Sequence, residues 1–321
     1  GLGRILRDAQ GGISAIIEHK DASEAQRGIR EINSGIMAIP VARLHEWLPK
    51  LRADNAQGEY YLTDLVSLAL QAGCQVHTLR CDDEVEILGV NNREQLAQLE
   101  REYQKRRARE LMLSGVTLRD PARVDIRGEL ECAQDVELDV NVIIEGQVTL
   151  AEDVKIGPNC VLKNCRIGAG SVIEANSVLE DATIGRACHI GPFARIRPGA
   201  QVEDEAKIGN FVEIKKSRIG ARSKVNHLSY VGDSELGCEV NIGAGTITCN
   251  YDGVNKFKTI IGDGVFIGSN TALVAPVTVA SGATVGAGSV ITQDVGADQL
   301  AVARGRQRNI DGWQRPRKNG K

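Results

Sequence analysis

The side chains of this sequence that best suit acid–base chemistry are those of His189 and His227. Histidine ordinarily changes its protonation state near neutral pH, so either side chain could serve as a general base. His189 lies in ACHIGPFARIRPG, and His227 lies in SKVNHLSYVG. An exposed histidine without a role is the alternative for each. A zinc site is not expected, because the two histidines have no evident third partner.

Positively charged side chains form a second candidate site. Lys215 follows Arg197 at an interval that is a multiple of six, and Tyr230 and Lys256 come later along the chain. Two cations and a phenol hydroxyl would suit a phosphate group. An ordinary solvated surface would carry the same residue types, so the residues alone leave both interpretations open.

Composition and charge argue against several classes of protein. The chain has 321 residues and a net charge of −3, which does not favour nucleic-acid binding. No apolar run is long enough to cross a membrane, so we expect no membrane insertion. The eight cysteines form no CxxC pair. We expect them to be small buried residues in a reducing cytoplasm, rather than disulfides or metal ligands.

A six-residue period runs through the second part of the chain. An aliphatic residue followed by glycine recurs at intervals that are multiples of six or one residue away from one, at Ile156, Ile167, Ile184, Ile190, Ile208, Ile219, Val231, Leu236, Ile242, Ile261, Ile267 and Val285. The period predicts a parallel β-solenoid in which three hexads make one coil, with roughly ten coils. Arg197 and Lys215 would then lie on the same face in adjacent coils.

Two further features accompany the six-residue period: small residues near its corners and one polar segment that interrupts it. Glycine and other small residues would let the chain turn the corners of the solenoid. The polar segment 241–259, NIGAGTITCNYDGVNKFKT, interrupts the period and predicts an exposed loop.

Four segments are predicted along the chain. Residues 1–92 are expected to be mixed α/β, and residues 93–114 a linker helix. Residues 115–295 would form the solenoid, and residues 296–321 a basic tail. The tail is either disordered or helps to hold a phosphorylated ligand such as coenzyme A.

Some elements of the first two segments are predicted individually. ISAIIE and VEILGV are expected to be strands, and residues 62–70 a helix. The linker helix has a basic surface, which we interpret as solvated rather than as an anion site. Its narrow apolar face would comprise Leu96, Leu99, Tyr103 and Leu111.

Three long motifs resemble those of one enzyme family: RPGAQVEDEAKIGNFVEIKKS, VNHLSYVGDSELG and VNIGAGTITCNYDGVNKFKTIIGDGVFIGSN. The family is the bacterial bifunctional N-acetylglucosamine-1-phosphate uridylyltransferase/glucosamine-1-phosphate N-acetyltransferase. GRILRD, IIEHKDAS, EINSGIM, AQGEYYLTDL and GVNNR extend the resemblance over essentially the whole chain. The resemblance implies a left-handed parallel β-helix that assembles as a homotrimer, with each acetyl-transfer site between subunits and the loop at 241–259 projecting to build it.

The resemblance also implies a reaction and the residues that perform it. Acetyl-CoA would acetylate the 2-amino group of glucosamine 1-phosphate, for the synthesis of UDP-N-acetylglucosamine, a precursor of peptidoglycan and lipopolysaccharide. His227 would be the catalytic base. The sugar phosphate would be bound by Arg197, Lys215, Tyr230, Asn241 and Lys256. Acetyl-CoA would be bound by Ala244, Asn250, Tyr251, Ser269, Ala287 and Arg304.

Acetyl transfer in this family would be direct, without an acyl-enzyme. A backbone N–H, such as that of Ala244, would stabilise the oxyanion. Asn241 and Asn250 would orient the sugar and the base. Cys249 is not expected to act as a nucleophile, because a buried thiol is not activated.

Residues 1–92 resemble only the later part of the uridylyltransferase domain. The resemblance implies that Gly3, Glu18, Asn33 and Asn91 contact the uridine nucleotide sugar, and that Asn91 shares a Mg²⁺ ion with an aspartate. That aspartate and the glycine-rich nucleotide loop belong to the earlier part of the domain. We therefore expect this chain to be inactive as a uridylyltransferase, although the full-length protein would be active.

Two other functions remain alternatives. A solenoid acyltransferase that acts on a nucleotide sugar would be distinguished by its dependence on an acyl-carrier protein. A non-enzymatic solenoid scaffold would be indifferent to the replacement of His227.

Overall fold

The computed structural model describes residues 2–316. The chain divides into two compact units, Gly1–Leu99 and Glu100–Lys321. Arg317, Lys318 and Lys321 of the predicted basic tail lie outside the described residues.

The first unit combines a small sheet with short helices. Its sheet pairs Arg4–Arg7 with Ile13–Ile17 in antiparallel fashion. Its helices are α1 (Glu24–Arg27), α2 (Val41–Trp47) and α3 (Asp64–Gln71), with 3₁₀ helices at Leu48–Lys50 and Glu84–Ile87. Trp47, Leu65 and Ala69 form its buried core. The predicted strand ISAIIE and the helix near residues 62–70 are confirmed.

The prediction of a strand at VEILGV is wrong. Residues Glu84–Ile87 form a 3₁₀ helix instead. The carboxylate of Asp83 accepts a hydrogen bond of 3.0 Å from the backbone N–H of Val85 and caps this turn. A local side-chain contact therefore outweighs the strand propensity of the apolar residues.

The predicted long helix is α4 (Arg93–Leu113), but only part of its predicted apolar face is buried. Leu96 and Tyr103 are 55% and 51% exposed. The buried residues are Gln104, Ala108 and Leu111. Gln104 is buried because its amide exchanges two hydrogen bonds of 2.8 Å with the backbone of Ile126, on the edge strand of the solenoid. The helix thus satisfies an edge that would otherwise be unpaired.

The second unit is a left-handed parallel β-solenoid with three flat faces. Strands of the first face are Thr117–Leu118, Glu137–Leu138, Lys155–Ile156, Val172–Ile173, His189–Ile190, Lys207–Asn210, Lys224–His227, Asn241–Ile242, Phe266–Ile267, Thr284–Val285 and Leu300–Ala301. Strands of the second face are Val161–Lys163, Val178–Glu180, Arg195–Ile196, Glu213–Lys215, Tyr230–Gly232, Ile247–Cys249, Ala272–Val274 and Val290–Ile291. Strands of the third face are Arg166–Ile167, Thr183–Ile184, Gln201–Val202, Arg218–Ile219, Ser234–Leu236, Thr259–Ile261 and Val277–Val279.

The first coils differ in having strands that continue around a corner. Val124–Cys132 and Val142–Leu150 pair along their whole length and span the second and third faces, and a 3₁₀ helix at Pro121–Arg123 precedes them. The aliphatic residues of the hexads fill the interior, where Ile208 and Ile267 are fully buried. The predicted solenoid is therefore confirmed. The first face continues to Leu300–Ala301, beyond the end of the six-residue pattern.

The glycine after most of these aliphatic residues is required by the close approach of the next coil. At Gly268, for example, a β-carbon would lie 2.7 Å from the carbonyl oxygen of Val285. Left-handed backbone at the corners is mostly adopted by other residues, including Asn159 and Asn176. The expectation that glycine and other small residues form the corners is therefore only partly right, since asparagine and other larger residues occupy most of them.

The predicted loop interrupts one coil. Neighbouring coils are of nearly constant length, as the register pairs Lys207–Lys224 and His189–Lys207 show. The pair Asn241–Phe266 encloses a longer segment, and the extra length forms a small hairpin closed by a bridge between Tyr251 and Lys256.

Candidate functional site

One corner of the solenoid brings together the predicted base and three predicted acetyl-CoA contacts. In successive coils this corner position is occupied by Asn210, His227, Ala244, Ser269 and Ala287, as the register of the first face requires. In the three coils that follow the coil of His227, the corner residue is small: Ala244, Ser269 and Ala287. They leave an open track along the corner that begins at the imidazole.

The imidazole of His227 lies at the exposed end of its strand and has a defined partner. Its Nδ1 is 2.8 Å from Oδ1 of Asn210, the register partner of His227 in the preceding coil. The backbone carbonyl of His227 accepts hydrogen bonds from the Ser229 hydroxyl at 2.8 Å and from the Gly245 N–H at 3.3 Å. Both the ring and the backbone are therefore held in place.

His189, the competing histidine, is in a different environment. It lies at the start of its strand on the first face, and its Nε2 is 2.9 Å from Oε1 of Glu174. Glu174 therefore already occupies this ring nitrogen, whereas Nε2 of His227 has no hydrogen-bond partner among the described residues. Its position and its partner both favour His227 as the base.

The predicted phosphate-binding cations lie on the second face. Arg197 and Lys215 directly follow the paired residues Ile196 and Ile214 and are in register. Nη1 of Arg197 donates a hydrogen bond of 2.6 Å to Oε1 of Glu213, and this bond is the main reason that the pKa of Arg197 is raised. Within residues 2–316 no ion pair involves Lys215.

Tyr230 lies on the same face, opposite Glu213 in the next coil. A β-carbon at Gly232 would lie 2.6 Å from Cζ of Tyr230, so the phenol ring packs over this glycine. The glycine therefore allows the hydroxyl to remain close to the backbone beside the cations.

The hairpin carries Asn250, Tyr251 and Lys256. The side-chain amide of Asn250, which is buried, donates to the carboxylate of Asp233, and the carbonyl of Asp233 accepts from the N–H of Thr259 at 3.2 Å. Asp233 thus ties down both ends of the hairpin. Tyr251 and Lys256 are exposed, beyond these anchors.

Two other predicted residues, Arg304 and Asn241, lie away from the hairpin and from the cations of the second face. Arg304 donates a hydrogen bond of 2.7 Å to the carbonyl of Ala287, so these two predicted acetyl-CoA contacts are brought together. Asn241 lies at the start of its strand on the first face, where it lines a shallow cavity of about 430 Å³ with Lys207 and Lys224. The single chain does not join Asn241 to the cations of the second face.

The cysteines include several that are chemically inert. Cys160, Cys165 and Cys188 are buried. Burial raises the pKa of the Cys160 thiol to about 11 and that of Cys132 to about 12. All eight thiols are free, and Cys249 is only partly buried.

Three of the predicted nucleotide-sugar contacts in the first unit lie together. The N–H of Asn33 donates to the carbonyl of Gly3 at 2.9 Å, and a β-carbon at Gly3 would lie 3.2 Å from Oε1 of Glu18. The Thr63 hydroxyl, which the sequence did not indicate, donates to the same Glu18 oxygen at 3.1 Å. Asn91 is exposed, and its N–H bonds to Gln95.

The candidate site has four supporting residues that were not predicted: Asn210, Glu213, Gly232 and Asp233. Asn210 and Glu213 stand in NFVEIKKS, one coil before their register partners His227 and Tyr230. A repeat one residue shorter than three hexads, tested beside the full repeat, would have identified both. The sequence carried no comparable signal for Asp233, because its partners depend on the path of the hairpin.

Neither a metal cluster nor a membrane span is found in the part of the chain that the structure describes. No group of three or more His, Cys, Asp or Glu side chains could hold a metal ion among residues 2–316. Within the same range, no helix is long and apolar enough to span a bilayer.

The repeat and its site define a class of protein. The family profile described as "Bacterial transferase hexapeptide (six repeats)" matches residues 258–293, and "GMPPB C-terminal domain" matches residues 126–202. The parallel β-solenoid and these two partial matches define a hexapeptide-repeat protein.

Curated relatives extend this to the whole chain. "Bifunctional protein GlmU" of Pseudomonas putida (strain GB-1) is 57% identical over 321 residues, which are 100% of this chain and 70% of the relative. The protein of the same name from Azotobacter vinelandii is 58% identical over 321 residues, 100% of this chain and 71% of the relative. The chain belongs to the bifunctional GlmU family.

Proposed function

We propose that this chain transfers the acetyl group of acetyl-CoA to the 2-amino group of glucosamine 1-phosphate, for UDP-N-acetylglucosamine synthesis. The observation that carries the proposal is the corner position of His227. The second face, with its cations, lies on one side of the imidazole, and the track of small corner residues continues beyond it.

The reaction needs a base at the point where the amine meets the thioester. The amine nitrogen attacks the thioester carbon, so that an N–C bond forms and the C–S bond breaks. Nε2 of His227 accepts the proton of the amine and then returns it to the departing thiolate. General-base catalysis of this kind contributes roughly 10²–10⁴-fold in rate.

The corner track would hold acetyl-CoA in an extended form. Adjacent coils are about 4.8 Å apart, so Ala287 lies roughly 14 Å along the axis from His227. Ala244 and Ser269 stand between them and present backbone and small side chains to the ligand. Arg304, held at Ala287, would place a positive charge at the far end of the track, where it suits a phosphate group of the cofactor.

Glucosamine 1-phosphate would bind to the second face. Lys215 and Arg197 provide positive charge, Tyr230 provides a hydroxyl, and Lys256 approaches on the hairpin. Glu213 holds the guanidinium of Arg197 in one orientation and reduces its net charge. Lys215 would therefore make the stronger contribution to binding of the phosphate.

We also propose that the chain assembles as a homotrimer in the cytoplasm. Phe193, Phe211 and Leu228 follow one another along the corner beside His227, and each is about half exposed or more, at 49%, 57% and 62%. All three adopt left-handed backbone, which is costly for large residues. An exposed apolar stripe retained at such a cost is typical of an interface. A neighbouring subunit there could supply Asn241 to the site.

The first unit would contact the nucleotide sugar of uridylyl transfer, the second activity of the family. Gly3, Glu18 and Asn33 lie together and offer polar groups that suit a sugar. Magnesium does not fit Asn91 alone, because its amide oxygen is neutral and Mg²⁺ in proteins is held by one or two carboxylates.

Identification of the product tests the proposed function. The chain should convert glucosamine 1-phosphate and acetyl-CoA to N-acetylglucosamine 1-phosphate, detected by mass spectrometry. UDP-glucosamine and an acyl-carrier-protein donor serve as the competing substrates. Preference for either would favour the nucleotide-sugar acyltransferase, and no acetylated product from any acceptor would favour a scaffold.

A further inference from the structure

The pairing of His227 with Asn210 has a chemical consequence for the base. An amide oxygen can only accept a hydrogen bond, so Nδ1 of the imidazole must donate across the 2.8 Å separation. A neutral imidazole carries a single N–H. With the proton on Nδ1, the lone pair is on Nε2.

We propose that Asn210 is a positioning residue that fixes His227 in the Nδ1–H tautomer, so that Nε2 is the atom available to the amine. This inference rests on the proposed function, in which His227 is the base. Asn210 and His227 are register partners on adjacent parallel strands, so the contact is set by the solenoid backbone and not by a loop.

The neutrality of Asn210 distinguishes it from the partner of His189. His189 faces the carboxylate of Glu174, whereas His227 faces a neutral amide, which orients the ring without placing a charge beside it. A base that starts the reaction must be unprotonated, so an amide partner suits it.

The charged groups around His227 are on the strands that flank it. Lys207 and Lys224 stand at the start of the strands that end in Asn210 and His227, and the adjacent strand Asn241–Ile242 has no charged side chain. After the corner, Glu213 is engaged by Arg197. Within residues 2–316 no ion pair involves His227, so the bond to Asn210 is the specific contact that orients the ring.

The test combines a spectroscopic and a kinetic readout on the intact chain. ¹⁵N NMR of the histidine rings reports which nitrogen carries the proton, independently of activity. In Asn210→Ala we expect the His227 ring to lose the defined Nδ1–H state. We also expect kcat for acetyl transfer to fall roughly tenfold to a hundredfold, with the KM values for both substrates unchanged.

Two further variants separate positioning from structural damage. Asn226→Ala removes the same kind of side chain directly before His227 and should change neither readout. Asn210→Asp keeps the acceptor but adds a charge. It should retain the Nδ1–H state and recover activity at high pH, with the acid limb of the pH–rate profile moved to higher pH, because the carboxylate favours the protonated ring.

The outcomes are distinct. Wild-type kcat or an unchanged ring tautomer in Asn210→Ala would overturn the inference. Equal losses in Asn210→Ala and Asn226→Ala would also overturn it, since they would indicate a structural effect. A tautomer change in a chain that does not transfer acetyl at all would leave the positioning role standing and refute the proposed function.

Discussion

At the scale of single residues, the hydrogen-bond partners and the position of a side chain, rather than its residue type, determine the chemical role that we assign to it. His227 and His189 are both exposed on the solenoid, but the first faces an amide and the second a carboxylate. Lys215 and Lys216 are also adjacent in sequence and differ in position. Lys215 is in register with Arg197 on the second face, whereas Lys216 has left-handed backbone at the corner.

The two lysines give a matched test of phosphate binding. We expect Lys215→Asn to raise the KM for glucosamine 1-phosphate roughly tenfold to a hundredfold with little change in kcat, because a charge-assisted hydrogen bond contributes about 1.5–3 kcal/mol. Lys216→Asn, which removes the same charge at a corner that tolerates asparagine, should have little effect. Equal effects of the two changes on KM, measured by steady-state kinetics, would assign the role to general charge and not to Lys215.

At the scale of elements, the end of the solenoid depends on α4. Gln104 pairs with the backbone of Ile126, and Arg101 forms an ion pair of 2.8 Å with Asp125 on the same edge strand. Burial raises the pKa of Asp125, but hydrogen bonds and charges from Arg101 and Arg127 outweigh it, and the net pKa is lowered. This carboxylate therefore stabilises the fold in its ionised form.

The sign of the Asp125 shift predicts a pH dependence. A lowered pKa in the folded state gives stability that is present above the ordinary value of about 3.9 and is lost as the pH falls through the folded value. Asp125→Asn should therefore lower the free energy of unfolding by up to about 1 kcal/mol at pH 7, and by less below pH 4. Urea unfolding at both pH values measures the difference. Glu131→Gln, on the same strand and without an ion pair among the described residues, is the control. A constant difference at both pH values would contradict the assignment.

The packing of successive coils predicts where glycine is essential. Gly268→Ala places a methyl group against the backbone of the next coil and should cost about 1–3 kcal/mol. Gly286 holds the same position one coil later, where a β-carbon would meet a methyl of Val302 at 3.1 Å and no other atom closer than 3.7 Å. Gly286→Ala should therefore cost less. Thermal unfolding of the two variants compares them, and equal losses would mean that close approach is not the reason for the glycine.

The elements also show how much the sequence could predict. The six-residue period predicted the solenoid and its buried residues, because one constraint recurs in every coil. The predicted apolar face of α4 was only partly right: Leu111 is buried, but Leu96 and Tyr103 are exposed. The edge strand instead binds a polar side chain, Gln104. Register placed Arg197 beside Lys215. The bonds of Asn210 and Asp233, however, depend on a coil that is shorter than three hexads and on a hairpin path that no repeat specifies.

At the scale of the whole molecule, the proposed trimer explains why large apolar residues are exposed at a corner in the unfavourable left-handed conformation. The rings of Phe193 and Phe211 stack with centroids 5.3 Å apart, at corner positions where earlier coils have asparagine. Asparagine tolerates left-handed backbone better than phenylalanine does. The solenoid of one chain thus gains nothing evident from these rings.

Substitution of the stacked rings tests the assembly. The double variant Phe193→Asn/Phe211→Asn should preserve the fold but dissociate at a concentration at least about tenfold higher than the wild type, because each buried ring contributes roughly 1.5–3 kcal/mol. Sedimentation equilibrium measures this. Leu79→Asn, at a side chain that is 98% exposed in the first unit, is the control. A monomeric wild type, or a double variant that associates as tightly, would contradict the proposed trimer.

Thiol release measures whether His227 is the base for acetyl transfer. Release of CoA from acetyl-CoA should require glucosamine 1-phosphate, fall by roughly 10²–10⁴-fold in His227→Ala, and remain near the wild-type rate in His189→Ala. Sugar-dependent release that survives in folded His227→Ala would contradict the account.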